Sequence, residues 1–308
     1  MSGRSRWHSV VDIFSGMGGL SLGFEQAGFD IRGFDHDKHA ISTYRFNVGP
    51  CDDADLRSEI PRIEVDVLLG GPPCRPWSRL NLRTARREHP DRPLVGAFTK
   101  MVMRYEPAVF VLENVPLLER DPLYAELLER AARLGYDTGS RLIAYSDFGA
   151  ASARKRLFLF GSRAFEVSRL LESLERLKRP GRNVGDALAP YEQYGAGEFA
   201  DHEWPNLRTI HKYSGKYQSE KYGWYRLDAA KPAPSFGHVQ KTYILHPRSY
   251  DGVGPRVISV REAMAIVGFG DGFRFPEGVP MTAKYRMVAD AVSPVFSRAL
   301  AKAVRELL

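Results

Sequence analysis

The first half of the chain alternates short apolar runs, rich in β-branched residues, with stretches that repeat apolar residues at helical spacing. This alternation predicts strands joined by helices, and therefore a sheet covered by helices on both faces. The predicted strands are Val10–Phe14, Asp30–Phe34, Val65–Leu69, Ala108–Leu112 and Arg156–Phe160. The predicted helices between them are Leu20–Ala27, Lys38–Phe46, Leu94–Tyr105 and Leu123–Leu134.

The pattern changes after Gly161. A charged helical stretch, Phe165–Lys178, leads into a region rich in Tyr, Gly, Pro, Lys and His that continues to about Pro255. Such a composition indicates a small, irregular domain. Helical spacing returns at Val260–Val267 and in a last element, Lys284–Leu308, which we predict as one long helix that docks on the sheet.

Length and charge narrow the possibilities. A chain of 308 residues suits one large domain carrying a smaller one, and we expect residues 1–165 with 282–308 to form the first and residues 166–281 the second. The net charge of +7 favours a polyanionic partner. No apolar run approaches the roughly 18 residues that span a bilayer, and we expect a cytoplasmic protein.

A glycine-rich turn, Phe14–Gly19, joins the first predicted strand to the first helix. Glycines let the backbone come close to a ligand, and the start of a helix offers free N–H donors. Asp35 ends the next predicted strand, where an acid takes the ribose hydroxyls of a nucleotide. Ser21 stands at the third glycine of the NAD fingerprint, so an adenosine ligand without a pyrophosphate fits better, while a tight turn without a ligand stays possible.

Cys74 follows a predicted strand and the turn Gly70–Pro73, at the edge of the sheet where open α/β sheets bind ligands. Positive charge from Arg75 and Arg79 would favour its thiolate. The alternative is a buried cysteine that acts as a small hydrophobic residue. Cys51 has no comparable context, and no Cys/His cluster at metal spacing accompanies the two cysteines, so we expect no metal.

Glu113 ends another apolar strand, where a carboxylate is costly to bury without a partner. Arg154 and Arg156 are candidate partners, although basic residues at the start of a strand also occur as a solvated edge. The sequence leaves both interpretations of these arginines open.

The chain resembles the DNA cytosine-C5 methyltransferases of bacterial and archaeal restriction-modification systems. The resemblance rests on an ordered set of motifs that extends over almost the whole sequence. The set consists of Phe14–Gly19, Asp35, Pro73–Cys74, Glu113–Val115 and the pair Arg154 and Arg156, followed by Lys231–Ser235, Arg256–Ala263 and Ala289–Pro294.

That resemblance implies an α/β fold, namely the Rossmann-like mixed sheet of S-adenosylmethionine-dependent methyltransferases with a smaller target-recognition domain. It implies that Cys74 is the nucleophile toward cytosine C6 and that Glu113 contacts N3 and the amino group. Arg156 would hold the base oxygen, Arg154 would orient the catalytic groups, and Pro73 and Asn114 complete the implied catalytic set. The implied cofactor residues are Phe14, Ser15, Gly16, Gly18, Gly19, Asp35, His36, Asp55, Leu94, Asp290 and Ala291, with Asp53 as the alternative to Asp55.

The implied substrate is a cytosine flipped out of double-stranded DNA, because neither thiol nor methyl donor reaches a stacked base. The segment Arg75–Arg92 resembles a mobile basic loop that closes over DNA, against the alternative of a solvated charge run. Three motifs depart from the family pattern: Arg75 replaces Gln after the cysteine, Ser152 replaces Gln before the arginine pair, and Ala289–Asp290 replaces Gly-Asn.

Other functions stay open from sequence alone. A tRNA cytosine-C5 methyltransferase could use the same scaffold, since RNA also presents unstacked bases. A catalytically inactive relative and an NAD oxidoreductase are weaker alternatives. We expect a monomer, and a companion restriction endonuclease is a partner that the sequence neither requires nor excludes.

Overall fold

The computed structural model describes residues 8–57, 62–77, 89–212, 225–237, 239, 244–251 and 254–308. The described residues form two compact units. One lies within Met1–Ile143, Lys155–Leu177 and Ser297–Leu308, and the other within Ala144–Arg154 and Lys178–Phe296. The division by function into residues 1–165 with 282–308 and residues 166–281 stays a prediction.

The first unit contains a seven-stranded sheet in the order β3-β2-β1-β4-β5-β7-β6. Five strands, β3 through β5 in that order, pair in parallel, and β7 runs antiparallel to β5. The sheet is therefore mixed, and the predicted α/β class is confirmed. The strands are β1 Ser9–Ile13, β2 Asp30–Asp35, β3 Cys51–Asp53, β4 Val67–Gly70, β5 Val109–Asn114, β6 Asp137–Ala144 and β7 Lys155–Ser162.

Helices pack on this sheet through apolar faces. Phe98 of the third helix contacts Phe110 of β5 edge-to-face, with ring centroids 6.1 Å apart, inside a core that includes Ile13 and Leu68. Strands β4 and β5 are buried along their whole length, which explains their continuous apolar runs. The helices are α1 Gly19–Gln26, α2 Lys38–Asn47, α3 Pro93–Tyr105, α4 Pro122–Arg133 and α5 Val167–Arg176.

Two strands of the seven-stranded sheet, β3 and β6, were not predicted. The strand β3 has three residues, too few to show a periodic pattern. The strand β6 lies at the edge of the sheet, and only its last two residues are buried, so its sequence lacks an apolar face.

The prediction of one helix over Lys284–Leu308 was wrong. The chain forms α9 Met281–Asp290 and α10 Pro294–Leu307, with extended backbone at Ala291 between them (φ −65°, ψ 144°). Proline lacks the N–H that a helix interior requires but is tolerated in a first turn, so Pro294 begins a new helix.

The second unit is held by buried ionic and polar groups as well as apolar side chains. Arg256 donates two hydrogen bonds to Glu262, at 2.7 and 2.8 Å. Ser259 and Glu262 form a reciprocal capping box at the start of the helix Val260–Val267, here α8. Within the described ranges no helix is long and apolar enough to cross a membrane. The elements of this unit are α6 Val184–Leu188, α7 Arg208–Lys212, β8 Tyr225–Arg226, β9 Ile244–Leu245, α8 Val260–Val267 and α9.

Candidate active site

The glycine-rich turn after β1 uses two glycines in the left-handed region, Gly16 (φ 55°) and Gly18 (φ 94°). A side chain at Gly18 would come within 2.7 Å of Val48, whereas one at Gly16 would meet no atom within 4 Å. The turn is therefore packed on one side at Gly18 and open at Gly16, as a ligand cradle requires. Gly19 begins α1 directly after it.

Asp35 lies at the carboxyl end of β2, next to this turn. Its Oδ2 accepts a 2.8 Å hydrogen bond from the N–H of Gly16, and its Oδ1 accepts from the N–H groups of His36 and Asp37 at 2.8 and 2.9 Å. These three bonds fix the carboxylate beside the open glycine. The imidazole of His36 is exposed, with Nδ1 3.8 Å from Asp35 Oδ1.

The other predicted cofactor residues of the first unit have different environments. Phe14 is half-buried with a positive φ of 61°, and the buried Ser15 donates its N–H to the Phe34 carbonyl.

The remaining predicted cofactor residues lie outside the glycine-rich turn. Asp55 is exposed and accepts hydrogen bonds from Arg57, while Leu94 is 2% exposed within α3. Asp53, the alternative to Asp55, is exposed and pairs with Asp35 in the sheet register.

Asp12 is a buried acid that sequence reasoning missed. It lies within β1, is 1% exposed and accepts a 2.5 Å hydrogen bond from Ser21, whose hydroxyl in turn accepts from Tyr44 at 2.9 Å. Burial is the main cause that raises its pKa to about 7; the Ser21 bond opposes this, and the carboxylates of Asp35 and Glu113 add to it. A carboxylate inside an otherwise apolar strand was the available signal.

Glu113 and Arg156 form an ion pair at the carboxyl end of β5. The strand β7 runs antiparallel to β5, so the start of β7 meets the carboxyl end of β5. Arg156 Nε lies 3.1 Å from Glu113 Oε1, and the side chains are only 13% and 10% exposed. Arg156 is thus a partner of Glu113, and the solvated-edge alternative is excluded for this arginine.

The turn that carries Cys74 contacts the same end of β5. Asn114 donates from Nδ2 to the carbonyl of Pro72 at 3.0 Å, and a Cβ at Gly71 would lie 3.2 Å from Glu113 Oε2. Strand β4 ends at Gly70, paired with Leu112 of β5. Pro73 and Cys74, both partly exposed, thus follow a turn attached to the strand that bears Glu113.

Arg154, Asp290 and Ala291 belong to the second unit. The buried guanidinium of Arg154 donates to the carbonyls of Ala289 and Asp290, the last two residues of α9. A cation at that position also interacts favourably with the helix dipole. The side chain of Asp290 is exposed, Ala291 is buried, and the hydroxyl of Ser152 accepts a hydrogen bond from the N–H of Arg154 at 3.3 Å.

Several predicted positions lie outside the described residues. In the basic segment Arg75–Arg92 the structure describes Arg75 and Arg92 but not residues 78–88. No group of three His, Cys, Asp or Glu side chains that could hold a metal occurs in the part of the chain that is described. The predicted basic positions outside it are Arg79, Arg83, Arg86 and Arg87.

Comparison with known proteins gives a consistent answer. The C-5 cytosine-specific DNA methylase family matches residues 8–306. The type II methyltransferase M1.HphI of Haemophilus parahaemolyticus is 29% identical over 97% of this chain and 87% of its own length. M.NlaX of Neisseria lactamica, also a type II methyltransferase, is 26% identical over 97% and 96%.

Among solved structures, the S. pombe Dnmt2 methyltransferase superimposes with a TM-score of 0.73 over 97% of this chain and 99% of that one. At 13% identity this likeness concerns the fold alone. The family match covers nearly the whole chain and excludes the NAD oxidoreductase alternative. The protein is therefore an enzyme of the C-5 cytosine-specific DNA methylase family.

Proposed function

We propose that this enzyme transfers a methyl group from S-adenosylmethionine to C5 of a flipped cytosine in a short duplex DNA site, through a covalent bond to Cys74. The observation that carries the proposal is the Glu113–Arg156 ion pair beside the turn that bears Cys74. A nucleophile, an acid and a cation at neighbouring strand ends are the groups that activation of a pyrimidine ring requires.

The proposed chemistry begins at Cys74. Its thiolate sulfur bonds to C6, and the electron pair of the C5–C6 double bond moves to C5, which then accepts the methyl group. S-Adenosylhomocysteine is the leaving group of that methyl transfer. Water then takes the C5 proton, the electrons of the C5–H bond re-form the C5–C6 double bond, and the sulfur–C6 bond breaks to regenerate the thiolate. Glu113 would contact N3 and the amino group, and Arg156, held against Glu113, would contact the base oxygen.

The residues around the glycine turn fit an adenosine cofactor. The open space at Gly16 admits a ligand close to the backbone. The Oδ2 of Asp35 accepts one backbone bond and keeps a second lone pair, which suits a ribose hydroxyl, whereas Oδ1 already accepts two backbone bonds. When bound, S-adenosylmethionine supplies the methyl group.

Double-stranded DNA is the proposed partner, in keeping with the net charge of +7 and with the type II methyltransferases that the chain resembles. Target recognition by residues of the second unit, a monomeric state and a companion endonuclease belong to the same proposal.

The proposal is tested with purified protein, genomic DNA and labelled S-adenosylmethionine, followed by sequencing that detects 5-methylcytosine at base resolution. We expect methylation at one short motif, no methylation by Cys74→Ser, and retained methylation by Cys51→Ala, which removes the other thiol. Binding of S-adenosylhomocysteine by Cys74→Ser shows that this variant is folded.

Two results would contradict the proposal. Labelling of tRNA in place of DNA would assign the enzyme to RNA, and wild-type turnover by Cys74→Ser would exclude the covalent step. A tRNA acceptor is therefore included beside the DNA in every reaction.

A further inference from the structure

Asp121, the residue that precedes α4, joins three parts of the first unit that are separated in sequence. Its Oδ2 accepts a 2.8 Å hydrogen bond from the indole Nε1–H of Trp77, and its Oδ1 accepts 2.7 Å and 3.0 Å bonds from the Arg92 guanidinium and the Leu123 N–H. The Leu123 bond is an ordinary helix cap. The other two bonds are not needed to start a helix.

The environment favours a persistent contact. Trp77 is 2% exposed, and the carboxylate of Asp121 is 11% exposed. Burial by itself would raise the pKa of Asp121, but the hydrogen bonds from Leu123, Trp77 and Arg92 outweigh it, so its pKa is lowered. Asp121 therefore remains an ionised acceptor at neutral pH, and hydrogen bonds to a charged acceptor are the stronger kind.

Trp77 connects this anchor to Cys74. The N–H of Trp77 donates to the carbonyl of Cys74 at 3.0 Å and closes the single 3₁₀ turn Arg75–Trp77. On the other side of Cys74, the carbonyl of Pro72 accepts from Asn114. The backbone through the thiol-bearing residue is thus fixed at one end to β5 and at the other to the start of α4.

We propose that Asp121, acting through the indole N–H of Trp77, is a positioning residue for the Cys74 nucleophile. This inference rests on the proposed function, which gives Cys74 its role. The link holds the Cys74 backbone in the orientation from which its sulfur attacks the target base, and its loss leaves the thiol less constrained without removing any reacting group.

The test uses full-length variants. Trp77→Phe keeps the buried ring and removes only the indole donor, and Asp121→Asn keeps one acceptor oxygen and the helix cap. Asp137→Asn is the matched control, because Asp137 also accepts a backbone N–H bond at the start of a helix, from Val167, at a site away from Trp77 and its turn. Thermal unfolding sets a temperature at which all variants are folded.

Attack by Cys74 is measured as the rate of covalent complex formation with duplex DNA in which 5-fluorocytosine replaces every cytosine, at saturating S-adenosylmethionine. We expect Trp77→Phe and Asp121→Asn each to slow this rate about tenfold, the order of one hydrogen bond to a charged group. The double variant should be no slower than the slower single variant, since both changes break the same link. Asp137→Asn should match the wild type.

Alkylation of Cys74 by iodoacetamide, followed by mass spectrometry, is the second readout. A freed turn exposes the thiol, so we expect alkylation of both variants to be faster than that of the wild type, by about threefold, while attack on DNA is slower. A change that only destabilised the fold would not separate the two rates in folded protein. Equal adduct rates in wild type and Trp77→Phe, or additive losses in the double variant, would overturn the proposal.

The two readouts also separate failure of this inference from failure of the proposed function. If the wild type forms no adduct with 5-fluorocytosine DNA, the covalent function is wrong. In that case the alkylation rates alone test the link from Asp121 through Trp77 to Cys74. Faster alkylation in Trp77→Phe and Asp121→Asn, with an unchanged rate in Asp137→Asn, supports the link. Unchanged rates in all three variants refute it.

Discussion

Replacement of Asp12 by asparagine should alter how the stability of the first unit depends on pH. Asp12 is almost fully buried in β1, and burial, opposed by the Ser21 hydrogen bond and reinforced by Asp35 and Glu113, raises its pKa from an ordinary 3.8 to about 7. Asparagine has nearly the same shape, accepts the same bond from Ser21 and does not titrate.

The sign follows from proton linkage. Between about pH 4 and pH 7 the folded protein holds the Asp12 proton more tightly than the unfolded chain does, so the contribution of Asp12 to the free energy of unfolding falls as pH rises through this window. Above pH 7 ionised Asp12 costs about 4 kcal/mol, at roughly 1.4 kcal/mol per pH unit between the two pKa values. The free energy of unfolding of Asp12→Asn should therefore rise by about 4 kcal/mol relative to that of wild type between pH 4 and pH 8.

Hydrogen exchange in urea, read on the peptide that covers Ser9–Ile13, measures the free energy of unfolding of the first unit at each pH from 4 to 8.5. The prediction concerns how the stability difference between Asp12→Asn and wild type changes with pH. An unsatisfied amide N–H of the asparagine would shift that difference by the same amount at every pH. Asp30→Asn, at an exposed aspartate that begins β2, is the control and should show a flat difference from wild type. A flat difference for Asp12→Asn as well would refute titration of Asp12 in this range.

Other substitutions test the ion pair, the cofactor turn and the helix packing. Arg156→Lys should lower the rate of methyl transfer at least tenfold and leave the affinity for S-adenosylhomocysteine unchanged, because a lysine cannot reproduce the guanidinium contact to Glu113. An equal loss of methyl transfer and of S-adenosylhomocysteine binding would contradict the role of the ion pair. Asp35→Ala should weaken S-adenosylhomocysteine binding about tenfold in calorimetry, and unchanged affinity would sink the ribose assignment. Gly23→Ala should destabilise the first unit by about 1–3 kcal/mol in urea unfolding, since a methyl group would overlap the α10 backbone. Gly96→Ala is the control and should be neutral or stabilising by up to about 1 kcal/mol, because the space around Gly96 is open. Similar effects of the two substitutions would refute the overlap.

The sequence located the chemistry better than the architecture around it. Ligands of open α/β sheets bind at the carboxyl ends of strands, so the apolar runs that precede Asp35, Cys74 and Glu113 are enough to assign all three residues to one edge of the sheet. The contact of Arg156 with Glu113 could not be predicted from the sequence. It depends on β7 running antiparallel to β5, a pairing that no local pattern encodes.

Short and exposed elements were not predicted for a different reason. Hydrophobic periodicity reports burial of one face, so the three residues of β3 and the edge strand β6, with only two buried residues, gave no signal. The periodicity over Lys284–Leu308 continues through two helices. The first ends at Asp290 because, in one continuous helix, the ring of Pro294 would clash with the carbonyl four residues earlier.

Two aspartates illustrate what sequence cannot supply. Asp12 and Asp121 are the same residue type and both are withdrawn from solvent, yet their pKa values move in opposite directions. Asp12 accepts from the neutral hydroxyl of Ser21 and is near two further carboxylates, whereas Asp121 accepts from three donors, one of them a guanidinium. Burial sets the upward direction for Asp12, whereas the donors outweigh burial for Asp121. Only the folded arrangement therefore decides that Asp121 serves as a charged anchor while Asp12 titrates near neutral pH.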